Sequence, residues 1–138
     1  MDITNHVKGL QHIGIPTTDI EKTKQWYKRI GFEIVNETKI MDEKGEVSVA
    51  FLKLGNVVLE IYQSQGARLE ELKQRETGAV DHIALDVDDI DKVYEKIAAD
   101  GIMAIEGSPK FLPFWMDGVR FFTIYGPNNE KIEFNQML

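Results

Sequence analysis

Leu10-Gln-His-Ile-Gly-Ile15 and Val80-Asp-His-Ile-Ala-Leu-Asp-Val87 decide how this chain is read. Each alternates apolar and polar residues as a half-buried strand does, and each sets a histidine (His12 or His82) directly before an isoleucine. The 70-residue step from His12 to His82 also pairs Ile13 with Ile83, Asp19 with Asp89, Ile20 with Ile90, Lys22 with Lys92 and Gly31 with Gly101. A repeat at fixed offset means one structural unit written twice.

The flanks follow the same plan. Thr18-Asp-Ile-Glu21 has the form of a helix capping box, Ile20, Thr23, Tyr27 and Ile30 recur at helical spacing, and Gly31 sits where a left-handed C-cap belongs. In the second copy Asp88 or Asp89 opens the helix, Ile90, Val93, Tyr94 and Ile97 form its stripe, and Gly101 closes it. Strands are predicted at Phe32–Met41, Val47–Leu54 and Val57–Gln63, joined by turns at Asp42–Gly45 and Gly55–Asn56. Their counterparts are Ile102–Glu106, Val119–Tyr125 and Lys131–Gln136, with Gly126–Asn129 as the last turn. An offset of 73 pairs Asn56 with Asn129, Glu60 with Glu133 and Gln63 with Gln136. The division is a module over 9–63, a linker over 64–78 with a short charged helix at Ala67–Glu76, and a module over 79–138.

The 138 residues fit one ordinary domain built from the two modules. With 23 acidic against 16 basic residues the net charge is −7, which gives nucleic acid or an anionic membrane no attraction to work with. No cysteine is present, so disulfides, thiolate metal sites and a cysteine nucleophile are excluded. Apolar runs are short, as at Val49–Leu52, and Met1–Lys8 lacks a signal peptide's apolar stretch; a cytoplasmic location is the default expectation.

Side chains alternate faces along a strand. His12 sits beside Ile13, His82 beside Ile83, Glu60 between Leu59 and Ile61, and Glu133 between Ile132 and Phe134. All four therefore point away from the face that packs on helices. A merely solvated sheet face is one reading. The other is a metal site: two neutral imidazoles and two carboxylates cancel a divalent cation, and mixed nitrogen and oxygen donors suit Ni, Co, Zn, Fe or Mn. Four ligands on an octahedral ion leave two positions for a chelating substrate. His6 reads as a solvated tail residue.

In Lys110–Gly118 large apolar residues, Phe114, Trp115 and Met116 among them, flank Pro113. That segment is either a lid lining the pocket or a hydrophobic cover or dimer contact. Arg120 either meets a substrate carboxylate or makes a surface ion pair. Trp26 and Tyr27 read as core residues, and Leu69–Glu76 as a solvated helix face.

Leu-Gln-His12-Ile-Gly-Ile, Asp-His82-Ile-Ala-Leu-Asp-Val and Gly-Pro-Asn-Asn-Glu-Lys-Ile-Glu133-Phe make the chain resemble the vicinal oxygen chelate superfamily, the glyoxalase/bleomycin-resistance/dioxygenase group, from about Gly9 to Met137. The resemblance implies an α+β fold: two βαβββ modules forming a curled eight-stranded mixed sheet with a metal in its cup. The order His, Glu, His, Glu is that of bacterial-type glyoxalase I and falls on His12, Glu60, His82 and Glu133. Methylmalonyl-CoA epimerases typically carry Gln at the second place. Fosfomycin-resistance enzymes and extradiol dioxygenases use three protein ligands, and bleomycin-binding members generally lack the set. The implied activity is that of a metal-dependent lyase or isomerase, similar to lactoylglutathione lyase, with Glu133 as first candidate for the base and Glu60 as second. A small-molecule binding or resistance protein, an epimerase-like member or a dioxygenase is the alternative. Glutathione-using members usually carry Arg four residues after the first ligand; here Pro16 stands there, so the thiol and substrate are left open. Related proteins commonly pair as homodimers, some of them with sites shared between subunits.

Overall fold

The structure, a computed structural model, describes residues 6, 10, 12–78, 80, 82–113 and 116–138. Its chain divides into two compact units, Met1–Lys73 and Gln74–Leu138. The fold is α+β, and strand pairing resolves into one four-stranded mixed sheet in each unit.

The first unit contains β1 (Ile13–Pro16), α1 (Ile20–Arg29), β2 (Glu33–Asp42), β3 (Gly45–Leu54), β4 (Val57–Gln63) and α2 (Ala67–Lys73). Its strand order is β1-β4-β3-β2, with β1 parallel to β4 and the other pairs antiparallel. The N-cap of α1 is Asp19, one residue later than the capping-box reading, and it accepts a 3.0 Å hydrogen bond from the Lys22 amide. Thr18 loses that role because Thr17 intervenes: its hydroxyl accepts from the Asp19 amide and bonds Thr23. Gly31 follows the helix at φ 102°, the left-handed conformation that favours glycine. Ile15, Leu59, Ile61, Ala50 and Leu52 form the buried face of the sheet, and Tyr27 of α1 is fully buried. Gln63 closes the arrangement by accepting the Ile20 amide at the start of α1, 2.9 Å away.

The second unit contains β5 (His82–Asp86), α3 (Ile90–Ala99), β6 (Lys110–Leu112), β7 (Val119–Tyr125) and β8 (Lys131–Met137). Its order is β5-β8-β7-β6, again with the first pair parallel. Asp89 is the N-cap of α3, and Gly101 follows that helix at φ 78°. Ile83, Leu85, Ile132, Phe134, Phe122 and Ile124 are buried together with Ile90 and Ile97 of α3. Gln136 accepts the Ile90 amide at 2.9 Å, repeating what Gln63 does in the first unit.

Three expectations need correction. The strand predicted at Ile102–Glu106 does not form. Ile105 donates its amide to Thr123, the Glu106 carboxylate accepts the Thr123 amide, and Gly107 at φ 81° then turns the chain. The edge strand lies instead at Lys110–Leu112, inside the segment read as a loop. The first strand begins at Ile13, not Leu10, whose side chain is exposed, and α2 ends at Lys73 rather than Glu76. Among the described residues no helix is long and apolar enough to cross a membrane.

Candidate functional site

In the first unit the alternation of β4 sends Leu59 and Ile61 into the core and Glu60 to the opposite face. Phe51 on β3 and Gly14 on β1 stand across from Glu60 in the register. His12 immediately precedes β1; its ring meets the Phe51 ring edge-on at 5.6 Å, and its Nε2 lies 3.0 Å from Glu60 Oε2. The two side chains are 31% and 29% exposed, half-buried yet open to a ligand. Tyr62 shares this face. A Cβ placed on Gly14 would make ordinary contacts with the Tyr62 ring at 3.5 Å and Glu60 Oε2 at 3.8 Å, so Gly14 borders the carboxylate.

The second unit repeats the construction on β8. Ile132 and Phe134 are buried, and Glu133 takes the other face, across from Thr123 on β7 and Ala84 on β5. His82 opens β5, and its Nε2 lies 3.7 Å from Glu133 Oε2, a looser approach than in the first unit. Glu133 Oε1 accepts a 2.7 Å hydrogen bond from the Asn135 side-chain amide. Sequence reading passed over Asn135, although its place two residues after Glu133 puts it on the same strand face.

The structure therefore brings the four predicted residues together as two His–Glu pairs, one within each unit. Neither unit, among the described residues, groups three or more His, Cys, Asp or Glu side chains into a metal-holding cluster. The donor chemistry of each pair fits a divalent ion: an imidazole nitrogen and a carboxylate oxygen converge from rigid strand positions, and each pair supplies one negative charge. A crevice of about 320 Å³ lies between α1 and the β2–β3 hairpin and includes none of the four residues.

Arg120 takes the ion-pair alternative. It shares a strand face with Phe122, whose ring meets Tyr94 of α3 edge-on at 5.5 Å. From there it grips Asp91 of α3 through two hydrogen bonds of 2.6 and 2.9 Å. This parity sets Arg120 on the helix side of β7, away from the face that carries Glu133. Phe114 and Trp115 lie outside the described residues. Met116 is 95% exposed, and Phe111 is packed against Gly118, where a Cβ would collide with its ring. His6 is exposed, as read from the sequence.

The repeated module with a His–Glu pair on its open sheet face corresponds to a known family. The model of the Glyoxalase/Bleomycin resistance protein/Dioxygenase superfamily matches residues 9–134. The chain belongs to this superfamily. Among curated relatives, the mitochondrial methylmalonyl-CoA epimerase of Dictyostelium discoideum is 30% identical over 104 residues, covering 73% of this chain. The chain spans 62% of that epimerase's length and 47% of its bovine counterpart's. A glyoxalase family protein from Enterococcus faecalis has the same fold, with a TM-score of 0.71 at 24% identity over 93% of this chain and 97% of its own. The fosfomycin resistance protein FosX of Listeria monocytogenes, solved with Mn(II) and a dihydroxypropylphosphonic acid, superposes with a TM-score of 0.63 at 20% identity over 93% of this chain and 91% of its own.

Proposed function

We propose that this superfamily member is a metal-dependent enzyme that moves a proton at the carbon next to a carbonyl, with His12, Glu60, His82 and Glu133 as ligands of one divalent ion. The observation that carries the reading is the recurrence of a His–Glu pair, Nε2 facing Oε2, at repeat-equivalent positions of the two units. When bound, an ion of the Ni, Co, Zn, Fe or Mn type supplies Lewis acidity toward a chelated carbonyl and its neighbouring oxygen. The protein's own share is positioning and proton movement. Four strand-borne side chains fix the donor directions, with the strand and helix packing beneath them as support. Glu133, alternating between ligand and base, takes the proton from the substrate carbon and returns it to the neighbouring carbon; Glu60 is the second candidate for that step. Phe51 and Tyr62 give the first unit's face an apolar wall beside Glu60.

Within this reaction class the order His, Glu, His, Glu favours a lyase of the glyoxalase I type acting on an α-oxo or α-hydroxy carbonyl substrate. Pro16, in the place usual for a glutathione-anchoring Arg, turns the choice toward another thiol or metabolite. The likeness to methylmalonyl-CoA epimerases favours a second reading, proton transfer on an acyl-CoA. A homodimer in the cytoplasm is the expected working form.

Metal analysis of the purified protein followed by assay of the loaded form separates the readings. Turnover of α-oxoaldehyde–thiol adducts supports the lyase. Solvent-deuterium exchange into methylmalonyl-CoA without adduct turnover supports the epimerase. A protein that takes up no divalent ion is instead a small-molecule binding member of the superfamily.

A further inference from the structure

The two units surround their carboxylates differently, and we infer that Asn135 is a positioning residue that presents Glu133 to the metal through a single oxygen. The inference rests on the metal-site reading above and goes beyond it, because it concerns a side chain that is itself no ligand.

Asn135 and Glu133 stand two residues apart on β8 and so share a face. The Asn135 side-chain amide donates to Glu133 Oε1 at 2.7 Å. Turning the amide over would set its carbonyl oxygen against the carboxylate, two acceptors with no proton between them, so the donor assignment follows from chemistry. With Oε1 engaged, Oε2 is the oxygen directed at His82 Nε2, 3.7 Å away. One bond thus makes the two oxygens unequal: one is tied along the strand, the other is offered on the His82 side.

Among the described residues the first unit shows no such bond to Glu60. The residue two places after Glu60 is Tyr62, and Glu60 Oε2 lies 3.0 Å from His12 Nε2. There the histidine itself approaches the carboxylate closely, whereas in the second unit an amide restrains it and the histidine stands further off. Phe121 on β7 and Asp86 on β5 flank Asn135 in the register, so the amide is held between neighbouring strands of the sheet. Partners that orient metal ligands in this way typically contribute ten- to a hundredfold in metal affinity.

The test is a Co(II) titration of the full-length protein, followed by calorimetry and by visible absorption, on wild type, Asn135→Ala and Asn135→Leu. Leu keeps the branched outline of Asn, with a larger volume, but carries no donor. The expected result is about tenfold or greater weakening in both variants. Their Co(II) absorption bands should move because Glu133 is free to rotate, while metal-free melting temperatures match the wild type. Wild-type affinity and an unchanged spectrum in either folded variant would overturn the inference and leave the four-ligand reading standing. A wild-type protein that binds no Co(II) overturns both.

Discussion

The two units are alike on the sheet face that packs against their helices and unlike on the face that carries the histidines. On the packed side the match extends to single hydrogen bonds. Asp19 and Asp89 cap the helices, Gln63 and Gln136 accept the Ile20 and Ile90 amides at 2.9 Å, and Gly31 and Gly101 take left-handed conformations. These features answer the same physical demand, since a helix start has amides without intrahelical partners and its end needs a residue that tolerates positive φ. On the open side the demands diverge. Glu60 is set among His12, Phe51 and Tyr62, whereas Glu133 is tied to Asn135 and further from His82. Folding requirements keep the packed faces of the two copies similar, whereas the open faces are under no such common demand.

The largest expected effect probes that difference between the open faces directly. Glu133→Gln should lower turnover of the metal-loaded protein by about 10²–10⁴-fold, the usual worth of a positioned general base. Glu60→Gln should act mainly on metal affinity. Steady-state kinetics beside metal titration of both variants reads the difference, and equal kinetic losses with equal metal binding would erase the asymmetry between the units. Next come the two cores. Phe122→Ala, which removes a ring stacked on Phe134 at 5.0 Å, should cost about 3–5 kcal/mol. Leu52→Ala, at a fully buried position in the first unit, should cost about 2–5 kcal/mol by denaturant unfolding. Smaller again are Gln63→Ala and Gln136→Ala, each leaving a helix-start amide without its strand partner at a cost of about 1–3 kcal/mol. The two values should agree closely. A clear inequality would mean that the packed faces are less equivalent than their geometry.

Much of this was legible before any coordinates. Val57–Gln63 and Val119–Tyr125 were read to the residue because alternation runs cleanly between glycine-containing turns. That Glu60 and Glu133 turn away from the helix-packed face followed from strand parity and the repeat; the separate His12–Glu60 and His82–Glu133 pairs did not. β6 was not legible: three residues paired only with β7 leave no periodic signal, and they sit within a run of large apolar side chains that reads as a loop. Ile105 and Glu106 touch β7 by one amide and one side chain, enough to satisfy Thr123 but too little to make a strand. Arg120 was legible in principle, since its parity with the buried Phe122 assigns it to the helix side; what the sequence hid was Asp91, 29 residues away, as its partner. Asn135 escaped because an amide carries no charge to draw attention, although the same parity argument reaches it.

The smallest effect sharpens the comparison on the helix side, where each unit ties helix to sheet by an ion pair of opposite polarity. In the first unit the cation is on the helix: Lys24 of α1 pairs with Glu21 at 2.8 Å and with Glu37 of β2. Burial alone would lower the Lys24 pKa, but the hydrogen bonds to Glu21 and Glu37 outweigh it and leave the pKa raised. In the second unit the anion is on the helix, and the hydrogen bonds from Arg120 hold the Asp91 carboxyl below the usual range. The signs then differ. A raised lysine stabilises the fold fully below its unfolded pKa near 10.4 and loses that contribution as pH climbs through the folded value. A lowered aspartate stabilises above its unfolded pKa of about 3.9 and loses that contribution as pH falls through the folded value. Melting curves from acid to alkaline pH should therefore show the gap between wild type and Asp91→Asn closing only on the acid side. The gap for Lys24→Met should narrow on the alkaline side as Lys24 loses its proton, where the Asp91 pair keeps both charges because arginine does not deprotonate. The exposed Asp91 pair is the weaker of the two because solvent screens it, so its gap should be the smaller at neutral pH and should shrink in high salt. A Lys24→Met gap that persists unchanged through the alkaline range, or an Asp91→Asn gap that persists unchanged in acid, would show that the tie concerned does not form in solution.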